Sequence, residues 1–198
     1  VMDSWSGLPA LRSDRSVKLF ERLRPEIELR LARASRPEFA LAQIDGFIRK
    51  LPAGVQLFSL FDTNRQILDL MMDICATAPA LAKYLSHNTS VLDGVLSGQF
   101  FEILPDLEGY LSMLGEDLQD LDDYEDVLNG IRRWQKEQHF RIGVLMLRQL
   151  AGLEEVERAY SDLAQAVIQG VLPWVEKDIA RRFGRFIRQD VSVLAMGK

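Results

Sequence analysis

Gly197 and Lys198 close a chain of 198 residues, and they follow Val191–Met196, a short β-prone run. A strand that runs into glycine and a basic residue can lay backbone N–H groups against a phosphate. Arg132, Arg133 and Trp134 place two guanidiniums beside an indole, a set that could dock a partner, although an indole on that helical face is more often core. Cys75 stands among Met71, Met72 and Ile74 with no cationic neighbour to lower its pKa, which reads as a buried, inert thiol. His87 and His139 lie far apart and lack the Cys or carboxylate spacing of a zinc site. The acidic run starting at Asp120 fails as a calcium loop: the tight-glycine position falls on Glu125 and the bidentate-glutamate position on Ile131. The expected set of metal ligands and catalytic residues is therefore none.

The element that must carry several of these groups runs from Asp120 to Ala151. Acidic residues crowd its start (Asp120, Asp122, Asp123, Glu125, Asp126) and basic ones follow (Arg132, Arg133, Lys136, Arg141, Arg148), as a helix dipole prefers. Asp122 with Glu125 forms an Asp-headed capping box, and Gly152 is placed to close the helix in the left-handed region. Its predicted length is roughly 45 Å. Ile131, Trp134, Gln138, Ile142 and Leu145 share one face, while Ile142 to Leu147 is apolar nearly all round. The first half should lie on a surface and the second inside a core.

With 47% hydrophobic and 27% charged residues, the chain has the balance of a folded globular protein. The net charge of −5 is spread in mixed signs, apart from an acidic patch at Glu116–Asp126, so no basic field favours nucleic acid. One cysteine fits a reducing compartment, and no apolar run approaches the roughly 20 residues that cross a bilayer. The expected location is the cytoplasm, without membrane contact.

In chain order, Val1–Arg12 shows no periodicity and reads as a loosely held start. Ser13 or Asp14 caps a helix carrying Val17, Phe20 and Leu23, which Pro25 either kinks or divides. Pro37 opens a helix that ends before Pro52. Short helices follow at about Gly54–Phe61, Asn64–Ala76 and Pro79–Ser86, and another is capped by Thr89 or Ser90 and ended by Gly98. Phe100, Phe101, Ile103 and Leu104 form a connector that needs burial, each phenylalanine being worth roughly 1.5–3 kcal/mol. Leu107 to Leu118 and Val156 to Phe183 are helical, the latter with a kink at Pro173. The predicted fold is all-α, two bundle-like halves joined near Phe100–Asp106 and ending in the first strand of a truncated α/β domain. The expected divisions are an N-terminal helical lead-in (1–36), a short-helix bundle (37–105), a long-helix bundle (106–190) and the start of a further domain (191–198). An open-edged terminal strand is expected to self-associate or to be disordered.

The ordered segments LPAGVQLFSLF, DICATAPALAKYL, RRWQKEQHFRIGVLMLR, YSDLAQAVI and VLAMGK resemble the central part of the bifunctional glutamine synthetase adenylyltransferase/adenylyl-removing enzymes of bacteria, from about Arg36 onward. The resemblance implies a helical region between two nucleotidyltransferase domains. One attaches AMP from ATP to a tyrosine of glutamine synthetase and the other removes it by phosphorolysis, under PII-type signal proteins and glutamine. In such enzymes VLAMGK would continue into a glycine-rich turn and a pair of Mg²⁺ carboxylates. Only Gly197 and Lys198 match that motif, so only they inherit a nucleotide-facing role. The chain is thus expected to be a noncatalytic linker or regulatory segment of an enzyme that uses ATP and Mg²⁺. The competing expectation is a self-sufficient helical interaction module that pairs the Glu116–Asp126 patch and the Arg132–Arg141 face with a partner protein.

Overall fold

A computed structural model of the chain describes residues 2–88, 91, 99–184 and 193. Among the described residues every regular element is a helix, so the architecture is all-α. The chain folds as two compact units, one from Val1–Leu104 with His139–Val156 and the other from Pro105–Gln138 with Glu157–Lys198, as far as these are described. Apart from Val91 and Val193, the expected helix behind Thr89 or Ser90 and the expected strand Val191–Met196 lie outside the described residues, as do Gly197 and Lys198.

In the first unit, Ser13 caps α1 (Asp14–Arg33) by accepting the Ser16 N–H at 3.1 Å. Pro25 sits inside this single helix and starts no new one. Helix α2 (Pro37–Lys50) begins on its proline and stops at Leu51, whose extended backbone is what the following Pro52 demands. Three short helices come next: α3 (Val55–Thr63), α4 (Arg65–Thr77) and α5 (Pro79–His87). Helix α4 buries seven side chains, from Ile67 to Cys75, on nearly all its sides, and α2, α3 and α5 pack around it while α1 packs on α3.

The start of the chain is not loosely held. Met2–Gly7 and Pro9–Leu11 form two 3₁₀ turns, and Trp5 is fully buried with its ring edge-on to Phe20 at 5.6 Å. The Trp5 indole N–H donates to Asp45 at 2.6 Å, and Arg49 donates to the other carboxylate oxygen at 2.7 Å. Hydrogen bonds from Arg49 and Trp5 hold the Asp45 carboxyl below its ordinary pKa. A three-residue repeat leaves no helical periodicity to read, which is why the sequence concealed this anchoring. Gly54 is required nearby, since a Cβ there would overlap the Ala10 carbonyl oxygen and the Phe58 ring.

The connector after α5 is buried only in part. Phe100 and Leu104 are inside, but Phe101 is 41% and Ile103 87% exposed, against the expectation that both phenylalanines would be covered. The 3₁₀ turn Gln99–Phe101 points successive side chains in different directions, so one of two neighbours must face out. Backbone carbonyls do the fastening here. Buried Arg141 donates from Nε to the Phe100 oxygen at 2.9 Å and from Nη2 to those of Glu102 and Ile103 at 3.0 and 3.4 Å.

Arg141 belongs to α7 (Tyr124–Leu147), which is shorter than expected at both ends. The residue that caps it is Asp123 rather than Asp122: its Oδ1 accepts from the N–H groups of Glu125 and Asp126 at 2.8 and 3.3 Å. At the other end Gln149, at φ +56°, takes the left-handed position expected of Gly152. Leu150 N–H bonds to the Leu145 carbonyl and Gln149 N–H to that of Met146, the paired bonds of a Schellman closure. Gly152 instead begins α8 (Leu153–Phe183), its carbonyl accepting from Val156. With 24 residues, α7 measures about 36 Å.

The second unit uses α6 (Leu107–Leu118), the first part of α7 and the continuous run of α8 through Pro173. Asp106 caps α6 by accepting the Gly109 N–H at 2.9 Å. Its core holds Tyr110, Leu114, Val127, Ile131, Trp134, Leu163 and Ala166. Gly170 lets Leu114 lie directly on the α8 backbone.

Replacing Arg141 by Met should lower unfolding free energy by about 2–4 kcal/mol in urea titrations, because three carbonyls lose charged donors. Arg141→Lys should recover less than half of that, since an ammonium cannot fork across the connector; full recovery by lysine would show that charge alone matters.

Candidate functional site

A cleft of about 550 Å³ lies within the second unit. One wall is the approach to α7 and its first turns, supplying Asp122, Asp123, Glu125 and Arg132; the other is the last third of α8, supplying Trp174, Lys177, Asp178 and Arg181. Local folding explains both walls. Asp123 must stand at the mouth because it caps α7, and Glu125, Leu128 or Asn129, and Arg132 recur at helical spacing behind it. On α8, residues 174, 177, 178 and 181 form a polar line beside the apolar line Val175–Ile179–Phe183.

Within the cleft several charges are already engaged. Arg182 pairs with Asp178 at 2.9 Å, one turn away on the same helix. The Arg132 guanidinium donates to the Asn129 side-chain oxygen at 3.1 Å. The Lys177 ammonium stands 5.0 Å from the centre of the Trp174 ring, within cation–π range. Among the described residues no ion pair crosses from one wall to the other, although acids and bases face the same space.

Of the expected docking set Arg132, Arg133 and Trp134, Arg132 alone lines this cleft, beside Asp122, Asp123 and Glu125 of the acidic patch. Arg133 is exposed and reaches Asp117 at 3.6 Å. Trp134 is buried, packed edge-on against Tyr110 at 6.0 Å, so its indole is core and the three residues do not form one exposed surface. Glu137, one turn beyond Arg133, has its pKa raised by burial, with Asp117 adding to the shift and Arg133 opposing it. Trp174, Lys177 and Arg181 were missed, because the apolar periodicity of α8 drew attention to the neighbouring line. The signal was present as aromatic and basic residues at i, i+3 and i+7.

The other described candidates do not line the cleft. Cys75 is fully buried and its thiol is pushed up to about 12 by desolvation, which removes it as a nucleophile. His87 Nδ1 lies 2.8 Å from the Lys83 carbonyl, the ordinary bond of a ring to the preceding helical turn. No three His, Cys, Asp or Glu side chains stand together as a metal-ligand set among the described residues. No helix among them is long and apolar enough to cross a membrane.

Comparison with known proteins gives one consistent result. The sequence pattern of the family described as glutamate-ammonia ligase adenylyltransferase matches residues 68–198. Among curated proteins, the bifunctional glutamine synthetase adenylyltransferase/adenylyl-removing enzyme of Brucella suis is 34% identical over 94% of this chain, that of Rhodopseudomonas palustris strain HaA2 29% over 97%, and that of Mesorhizobium japonicum 36% over 89%. The chain spans 19, 19 and 18% of these relatives' lengths. No solved structure matches it.

Trp134→Ala should cost about 3–5 kcal/mol in urea unfolding, whereas Arg132→Glu should stay within about 0.5 kcal/mol; equal effects would place the indole outside the core. Burial keeps the Cys75 proton bound in the folded state, so its contribution is complete below the unfolded pKa of about 8.5 and declines as pH rises toward 12. Stability measured between those limits should fall about 1.4 kcal/mol per pH unit more steeply than in Cys75→Ala; parallel slopes would mean that the thiol is solvated.

Proposed function

This chain belongs to the glutamate-ammonia ligase adenylyltransferase family, and we propose that it is a noncatalytic helical linker and regulatory segment of an enzyme with the two activities its relatives' names carry. In that reading the longer enzyme transfers AMP from ATP to a tyrosine of glutamine synthetase and removes it by phosphorolysis. PII-type signal proteins and glutamine bias the choice, in the cytoplasm.

One observation carries the reading: a chain covered at 94% by its Brucella relative corresponds to 19% of that bifunctional protein, and every regular element among its described residues is a helix. Several of the described acids have structural work. Asp106 and Asp123 cap helices, while Asp45, Asp62, Asp69 and Asp73 pair with arginines. ATP and Mg²⁺ are what the longer enzyme would need for AMP transfer. The described residues offer no grouped carboxylates that fit the metal, so no step of transfer is assigned to them. What they supply in this proposal is packing. A helical segment with alternative arrangements can favour one activity over another only if its ligands bind those arrangements unequally.

The decisive assay incubates residues 1–198 with labelled ATP, Mg²⁺ and glutamine synthetase and measures AMP incorporated into the synthetase. The expected incorporation equals the no-enzyme background, and transfer above it would overturn the noncatalytic reading. In the longer enzyme, Arg141→Met should change the ratio of AMP attachment to AMP removal. A proportional loss of both would argue for a purely structural role.

A further inference from the structure

The walls of the second unit's cleft carry opposite charges that nothing in the described chain neutralises. On the α7 side, Asp122 and Glu125 are exposed and form no ion pair; on the α8 side, Lys177 and Arg181 are exposed and form none either. Elsewhere in the molecule acids and bases do pair, as in Arg24–Glu28 at 2.8 Å or Arg65–Glu26 at 2.6 Å. The walls are held apart by the elements that build them. Asp122 precedes the Asp123 cap, and Lys177 and Arg181 ride on a 31-residue helix.

From these observations we infer that the cleft is a docking site for an extended segment of another protein, one that places a basic side chain against Asp122 and Glu125 and an acidic one against Lys177 and Arg181. At about 550 Å³ the cleft lies within the roughly 300–1,000 Å³ of small-molecule pockets, which is room for a few side chains of a bound segment. The half-exposed Trp174 gives the segment an apolar surface between its charges. Magnitudes favour a polypeptide over a small zwitterion. Each exposed ion pair shifts an equilibrium by only about one- to fivefold, so the two made by a free amino acid achieve little. A protein segment makes several together, with its backbone contributing as well, and their effects multiply. The inference stands on the cleft's geometry and is independent of the linker reading.

The test titrates a fluorescein-labelled hexapeptide of two lysines, two glycines and two aspartates into the 198-residue chain, following anisotropy at low and at physiological salt. Hexalysine and hexaglutamate serve as labelled comparisons and free glycine as a competitor. The mixed peptide should bind at least about fivefold tighter than either homopolymer and weaken as salt rises. The double variant Asp122→Lys with Glu125→Lys should lose at least about fivefold for the mixed peptide and gain affinity for hexaglutamate. Lys177→Glu with Arg181→Glu should do the converse, gaining hexalysine; circular dichroism verifies each fold, and either variant alone suffices if the other unfolds. Equal binding of all three peptides, unchanged binding by a folded variant, or glycine competing as well as the peptide would each overturn the proposal.

Discussion

Arg141 is the constraint on which the first unit's closure depends. At Phe100–Ile103 the chain runs through a connector that lies in no α-helix, and a backbone carbonyl withdrawn from water without a donor is costly. One guanidinium answers three of them, at Phe100, Glu102 and Ile103. A planar fork fixed on a helix can do this because its donors are rigidly spaced. Around it, Phe140 meets Phe100 at 6.1 Å and Tyr84 at 5.4 Å, so aromatic packing surrounds the polar clamp. The hydrogen bonds and the ring contacts therefore fix the same stretch of backbone.

Elsewhere the molecule resolves its charges locally. Arg24–Glu28, Arg49–Asp45 and Arg182–Asp178 are pairs one helical turn apart, and Arg22–Asp62 and Arg148–Asp73 join helices or turns within the first unit. Exposed pairs of this kind contribute modestly, so the fold rests mainly on its apolar interior. The interior differs between the units. Aromatic rings from Trp5 through Phe20 to Phe58 tie the first unit's opening turns to α1 and α3. In the second, Gly170 of α8 leaves room for Leu114, and Ala159 and Ala166 of the same helix are buried.

Family membership and geometry bear on function at different levels. The relatives' names carry two activities, on chains about five times longer, whereas the geometry describes the packing this segment offers and the surfaces it presents. The cleft is one such surface, with its charges kept from each other. Its character comes from two long helices whose ends are fixed by caps, at Asp123 for one and at Gly152 and Glu155 for the other.

Helical spacing, proline positions and capping residues were enough to place α1 to α8 nearly where they stand, because each is a property of a few consecutive residues. Pro37, Leu51 before Pro52, and Asp106 decide their helix ends by local sterics and local hydrogen bonds, and Cys75 among apolar neighbours is inert for reasons readable from its surroundings in sequence. Tertiary structure alone decided the rest. It buried Trp5 through a partner forty positions away at Asp45, turned Phe101 outward while Phe100 went in, and made Gln149 rather than Gly152 the left-handed closure. It also took Trp134 into the core and set Lys177 and Arg181 opposite Asp122 and Glu125. Those outcomes depend on which distant groups meet. Periodicity along one chain describes faces, and only folding determines what each face is set against.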